Sequence, residues 1–541
     1  MAGAPAARVR DLEWSERALP VPSWISGLIS LEGDPTSGGP VTAPEKHRHR
    51  AATPLAVVSK PKTSAGSTGE RRRPVTGARR PRNTRPTASP GAIDLDAAIQ
   101  DLSSPDSRRS RAAALLLGSS EDARVRVPLE SALDSPDVGL RVAAASALGS
   151  IHRPQSRAAL ESGLKDPDWR VRAQAAYALS RLHDPRSAVL LADALDRDPS
   201  ALVRNAAALA LGRIGDPRSI PALERALRDE SDRVRREAII ALEQSHDAHS
   251  SEKVRRFLRD PARRVRIAAA VALGRQPDHE SAPFLLDFLE RADQWEKPAV
   301  LVSLGRIGTV ECGAALARSA EDPVRWVRVC ALHGLAQMRA PEARGVALSK
   351  LDDPSWAVRG AAALALGKVG RASDAPVLIR LLQDARGWVR RGALYALGEL
   401  REKDSAAPVR AGLDDADPEV QLAAIWAAGR LRDPLAAPAL IQLLETTRPV
   451  EGTARRVLAE GDGSVRLVSD ADERRFDALV QAVGSLLRTP AGAAARGALT
   501  AAKRGLVPAQ LDRLARLPTP LGPGEGSQTL RDLFDAPDAE G

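Results

Sequence analysis

Apolar residues recur at three- and four-residue spacings through most of the chain, and the pattern restarts with a period of about 31 residues. Between Asp198 and Ile214 the positions Val203, Ala206, Ala207, Ala210, Leu211 and Ile214 fall on one side of a helix. Asp198 offers its carboxylate to the orphan N–H groups at the helix start, and Pro199 suits the first helical position. Gly215-Asp216-Pro217 stops the helix, because glycine accepts the left-handed cap and proline cannot continue it. A second helix begins near Ile220 and carries Leu223 and Leu227. Each helix has an apolar stripe too broad for one partner, so the pairs must stack to bury it. The pattern predicts an all-α fold, an α-solenoid (α/α superhelix) of about eleven helical hairpins.

The underlying motif is D-P-x-x-x-V-R-x-A-A-x-x-A-L-G. Its cation falls at Arg141, Arg172, Arg204, Arg235, Arg266, Lys297, Arg328, Arg359 and Arg390. The column ends at Gln421, and Ser110 fills it in the first copy. Its steps are all equal except the one from Arg172 to Arg204, which is longer by a single position. On these residues the array, over residues 93–445, resembles the short HEAT repeats of the phycobilin-lyase type. The resemblance implies a ladder in which each Arg bonds the Asp of an adjacent layer, with Asp and Arg six residues apart within a copy. The copies are Asp166/Arg172, Asp198/Arg204, Asp229/Arg235, Asp260/Arg266, Asp322/Arg328, Asp353/Arg359 and Asp384/Arg390. Ser104/Ser110, Ser135/Arg141, Arg291/Lys297 and Asp415/Gln421 depart from it. Three of these lie at the array ends, where capping repeats are atypical. Arg291/Lys297 lies in the middle and predicts a local break.

Composition narrows the partners. The net charge is +10, yet residues 41–90 alone hold 12 Lys/Arg against 2 Asp/Glu, so the array is nearly neutral. The basic segment suits an acidic partner or nucleic acid. The ladder cations do not suit a nucleic-acid track, because each has an Asp built into the same motif. Only 15 aromatic residues occur in 541, which favours closely packed helices over sheets. No apolar run reaches the roughly 18 residues that span a bilayer. Two cysteines, Cys312 and Cys330, and a poor signal-peptide pattern point to a reducing cytoplasm.

The chain divides into an N-terminal segment (1–30), a basic Pro/Ser/Arg-rich linker expected to be disordered (31–92), the array (93–445), a helical C-terminal cap (446–517) and a flexible tail (518–541). Trp24, Ile25, Leu28 and Ile29 share one helical face and suit either a short docking peptide or an N-terminus that packs on its own array. Leu530, Leu533 and Phe534 form a second short motif in the tail. Within the array, Trp295, Trp326 and Trp388 occupy the column two residues before the Arg slot, and Trp169 and Trp356 the column beside it. With Arg170 and Arg325 adjacent, they have the residue mix of an interface hot spot, although a Trp in the first helical turn also seals joints between layers.

Chemistry is sparse. The histidines are His47, His49, His152, His183, His246, His249, His279 and His333, and only His279-Glu280 forms a His-Glu pair. A resemblance to HEAT-like deoxyhypusine hydroxylase would require several such pairs. Neither a phosphate-cradling loop nor a metal-ligand spacing occurs, so no cofactor and no metal are expected. These residues point to a non-catalytic scaffold or adaptor holding a protein partner on its inner helix row. The alternatives are a phycobilin-lyase-like chromophore or protein-modification factor, as the resemblance implies, and a nucleic-acid-associated scaffold acting through the basic tail.

Overall fold

A computed structural model describes residues 94–245 and 249–446, with short pieces at 457–459, 465–467, 478–479 and 482. Trp24, Leu28, the basic segment 41–90 and the tail 518–541 lie outside the described residues.

The described array is a double row of helices. Eleven ladder helices run from Ser107–Leu117 to Pro418–Leu431 and alternate with shorter companion helices such as Arg126–Ser131 and Ala188–Arg197. Each ladder helix packs on the next, and each companion packs on its own ladder helix. The result is the expected solenoid, with one continuous core built largely from the Ala and Leu positions of the motif.

The motif glycine explains the tight stacking. A Cβ built on Gly118, Gly149, Gly212 or Gly367 would lie 2.8–2.9 Å from the Cα of Ala147, Ala178, Ala241 or Ala396 in the next layer. Successive ladder helices therefore meet backbone to side-chain-free backbone, and any larger residue would wedge them apart.

The helix starts differ from the sequence reading. The N-cap of Ala201–Ile214 is Ser200, not Asp198. Asp198 instead accepts the Ser200 N–H at 2.8 Å in a turn that precedes the helix, and Pro199 sits inside that turn. The two-residue offset frees the Asp198 carboxylate to face the preceding layer.

The segment 446–517 is not wholly helical. Val457–Ala459 and Val465–Leu467 pair as antiparallel strands, with Leu458 opposite Arg466. Leu479 and Ala482 are buried. A Cβ on Gly429 would lie 2.8 Å from the Cα of Ala482, so this part of the chain continues the glycine contact past the last ladder helix.

Candidate functional site

The Asp/Arg positions assemble as a ladder, and its geometry is repetitive. Arg172 donates from Nε and Nη2 to the two carboxylate oxygens of Asp198 at 2.6 and 3.0 Å. Its Nη1 donates to the main-chain carbonyl of Asp166 at 2.9 Å. Arg141, Arg204, Arg235, Arg328, Arg359 and Arg390 do the same with Asp166, Asp229, Asp260, Asp353, Asp384 and Asp415. Each cation thus ties the carboxylate of the following layer to the turn of its own. The paired charge raises the Arg390 guanidinium pKa further and lowers the Asp415 carboxyl, in both cases chiefly through the shared hydrogen bonds.

At the predicted mid-array break the helix is interrupted but the ladder continues. Arg291 occupies the Asp slot, but Glu296 takes over its task and accepts from Arg266 Nε at 2.7 Å. This is possible because the next ladder helix starts late, at Lys297, and the unwound turn before it folds the Glu296 carboxylate back into the seam. Glu296 is 3% exposed. Lys297 then reaches Asp322 at 2.8 Å. At the first joint, where Ser110 cannot serve, Arg111 bonds Asp137 at 2.7 and 2.8 Å, two residues beyond the vacant slot at Ser135. Gly139 makes room for that guanidinium, since a Cβ there would lie 2.2 Å from Arg111 Nε.

The ladder charges are spent largely on one another, and a different set of side chains is presented on the open side of the ladder row. Three residues before the slot of the motif glycine, which is Ser180, Glu243 or Ala336 in three copies, the ladder helices present Leu115, Ser146, Tyr177, Leu209, Ile240, Val271, Val302, His333, Leu364, Tyr395 and Trp426. Leu115 and Tyr177 are exposed, Val302 is buried, and the others are half-buried. These side chains form a largely apolar stripe along the open side of the ladder row, with one residue from every layer.

Beside the stripe runs a basic rim that the sequence reading missed. One residue after the glycine stand Arg181, Arg213, Arg275, Arg306, Lys368 and Arg430, with Glu399 the one acid of that column among the described residues. Two residues further on are Arg339, Arg401 and Arg432, all in the left-handed conformation with φ of 52–55°. A left-handed arginine costs about 1–2 kcal/mol where glycine would cost nothing. Cations at helix C-termini complement the helix dipole, but that gain does not require this strained position. Arg213 lies over the Tyr177 ring at 5.6 Å and Arg430 over Trp426 at 5.5 Å, which joins rim to stripe.

The rim cations repel one another. Arg306 and Lys368 have no ion-pair partner among the described residues. Desolvation, then the charge of Arg275, lowers the Arg306 pKa; desolvation, then Arg339, lowers that of Lys368. His333, between them on the stripe, is pushed down to about 4 by desolvation and then by Lys368 and Arg306. A nearby anionic group would offset the repulsive part of these shifts, though not the desolvation that leads each of them.

The tryptophans fall into different settings. Trp169 and Trp356 open their ladder helices and are 43% and 41% exposed. Trp295 is 38% exposed and lies in the unwound turn before Lys297, not in the first helical turn as its column implies. Trp326 is half-buried beneath Arg325, which stands 3.8 Å from the ring centroid. Trp388 seals a joint: its indole fills the space a Cβ on Gly360 would occupy, at 2.2 Å from Nε1. Arg170 is engaged by Asp168 at 2.7 Å, and that bond holds Asp168 down to about 2.

The remaining candidate chemistry is dispersed. His152 and His183 are left-handed helix-end residues whose Nδ1 atoms meet main-chain carbonyls. Cys312 and Cys330 are buried free thiols, and burial pushes Cys330 up to about 12. Among the described residues no group of three or more His, Cys, Asp or Glu is placed to hold a metal ion, and no helix is long and apolar enough to cross a membrane.

Comparison with known proteins agrees with this architecture. A sequence search against curated proteins finds no match. Among solved structures, yeast importin-β (Kap95p) superposes with a TM-score of 0.51 at 12% identity, over 76% of this chain and 66% of that one. A second importin-β structure gives 0.52 at 16% identity, over 78% and 73%. The CpcE–CpcF phycocyanin lyase complex from Nostoc gives 0.30 at 22% identity, over 48% and 99%. The chain therefore spans 66% of the yeast importin-β chain. The importin-β likenesses show the fold alone. The family model for HEAT repeats matches in seven overlapping stretches that run without a gap across residues 95–459, and the chain belongs to the HEAT-repeat family.

Proposed function

We propose that the protein is a non-catalytic scaffold that holds a protein partner along the open, inner face of its ladder helices. One observation carries this reading: a largely apolar stripe lies beside a row of cations, of which Arg306 and Lys368 form no close ion pair among the described residues and three others are held in left-handed backbone positions. A solvated face needs neither feature. Such a groove fits an amphipathic segment that brings apolar anchors and carboxylates together. Trp169, Trp295 and Trp356 extend the contact surface at the helix starts. The basic segment 41–90 supplies a second, salt-sensitive contact for an acidic partner or nucleic acid. The dispersal of the histidines and the burial of both thiols support the non-catalytic assignment.

The companion row also exposes apolar residues, including Val189 at 68% and Leu435 at 70%, which makes it the natural control. Partner capture by the full chain is compared with Leu209→Asp plus Leu364→Asp on the open face, and with Val189→Asp plus Leu435→Asp on the companion row. Loss confined to the first pair is expected, with circular dichroism unchanged in both. Loss confined to the second pair, or undiminished capture by both, removes the open face as the docking surface.

A further inference from the structure

The groove of the last five repeats has a complement within the chain. Residues 518–541 carry Glu525, Asp532, Asp535, Asp538 and Glu540 against a single cation, Arg531. Within them Leu530, Leu533 and Phe534 stand at i, i+3 and i+4, the spacing that puts three apolar side chains on one helical face with Asp532 and Asp535 at its flanks. Opposite that pattern, the open face between residues 302 and 432 presents Leu364, Tyr395 and Trp426 as apolar positions. Its cations are Arg306, Arg339, Lys368, Arg401, Arg430 and Arg432, with Glu399 the one acid in their two columns.

We infer that residues 528–541 dock on the open face of the last five repeats and occupy it until an external partner displaces them. This rests on the open face being the docking surface. The apolar trio meets the stripe while the carboxylates meet the rim, which gives Arg306 and Lys368 the close ion pair they lack among the described residues, where Glu243 and Glu399 act on them only from a distance.

The tether is long enough. Ala482 sits against the end of the last ladder helix. The chain from there to Leu530 spans up to about 160 Å when extended, at roughly 3.3 Å per residue. Five layers at about 8–10 Å each require no more than about 50 Å. Tethering also removes the need for tight binding. At an effective concentration on the order of 1 mM, an intrinsic Kd of roughly 100 μM keeps the segment seated about nine-tenths of the time. The bound state is thus weak enough to be displaced by a partner with more contacts.

The test uses a fluorescent synthetic peptide of residues 525–541 and the full-length chain. In one variant, Leu533→Asp with Phe534→Asp disables the chain's own segment. Fluorescence anisotropy should show the peptide binding this variant about tenfold more tightly than wild type, whose own tail competes. Adding Arg306→Glu and Lys368→Glu to the variant should weaken binding by at least about tenfold, as reversal of complementary charge does. Both side chains reach solvent, and an unchanged melting curve verifies that the array survives the two substitutions. Val189→Asp, on the companion row, should change nothing. Equal affinity for wild type and the tail-disabled variant, or indifference to the Glu pair, overturns the inference. Failure of the peptide to bind either chain also overturns it. If partner capture still depends on Leu209 and Leu364, that failure removes the tail alone and leaves the docking function standing.

Discussion

Glu296→Ala is the most demanding perturbation of the ladder, because Glu296 holds a place that the repeat motif assigns to another residue. The substitution leaves Arg266 without a carboxylate and strips the Asp293 N–H of its Glu296 acceptor at 3.0 Å. Breaking one side of a fully buried ion pair costs about 3–5 kcal/mol, and an exposed pair is worth about 0–1 kcal/mol. The side chain of Glu296 is 3% exposed and that of Arg266 22%, so the carboxylate end is buried while the guanidinium reaches some water. Arg266 also keeps the carbonyls of Asp260 and Pro261 at 2.8 and 3.0 Å. The loss should therefore fall between the limits, at about 2–3 kcal/mol. A solenoid can unfold in parts, so urea melts are best joined to hydrogen exchange over the helices Arg263–Arg275 and Lys297–Ile307, where protection should fall most. Arg291→Asp returns the acid to its regular slot, at the same separation from Arg266 that Asp353 has from Arg328, and should recover at least half of the loss when combined with Glu296→Ala. A Glu296→Ala chain with unaltered melting and exchange, or a double variant no better than the single one, refutes the repair.

Gly367→Ala places a Cβ 2.9 Å from the Ala396 Cα and should cost about 1–3 kcal/mol, whereas Gly345→Ala meets nothing within 4 Å and should gain up to about 1 kcal/mol; paired thermal melts decide. Arg401→Gly relieves a left-handed backbone at φ 55° and should stabilise the array by about 1 kcal/mol in the same assay, while weakening the docking of residues 525–541 measured by anisotropy. His333 lies at about 4 in the folded chain against about 6.5 when unfolded, so the unfolded state binds the extra proton between those values. Its contribution is complete above about pH 6.5 and declines as pH falls toward 4, by about 1–2 kcal/mol after discounting for partial exposure. The fall in Tm between pH 7 and 4.5 should shrink in His333→Leu, and an equal fall in both chains would dismiss the account.

The array was legible because, in a repeat, sequence spacing maps directly onto spatial contact. A cation at one slot and the acid that opens the next copy must meet if each period adds one layer, and seven regular pairs from Arg141–Asp166 to Arg390–Asp415 do. Three features were hidden because they depend on local geometry. The turn before the helix Ala201–Ile214 uses Asp, Pro and Ser, the residues that also cap helices, so Asp198 reads as the N-cap that Ser200 is. Glu296 is one place before the Lys297 slot and looks like a helix-face residue until the first turn is seen to be unwound. Arg111 and Asp137 each lie off their motif column, and their pairing needs the missing side chain of Gly139.

The basic rim was visible in principle and was hidden by arithmetic. Residues 91–541 sum to only +2, because Arg and Asp in the ladder cancel in pairs along with many surface ion pairs. Net charge therefore reports the average of columns whose roles differ. The ladder column spends its cations on the acids of the next layer, so it contributes nothing to the surface field. The column just after the motif glycine holds six cations against one acid, Glu399, among the described residues, and its cations collect on one edge of the open face. In a solenoid the informative quantity is charge per repeat position, since each position becomes a line running the length of the molecule. A near-neutral rod can then carry a strongly basic edge beside an apolar stripe, and the left-handed helix ends that hold His152 and His183 in the early repeats hold Arg339, Arg401 and Arg432 in the later ones, which concentrates the charge toward the C-terminal end of the array.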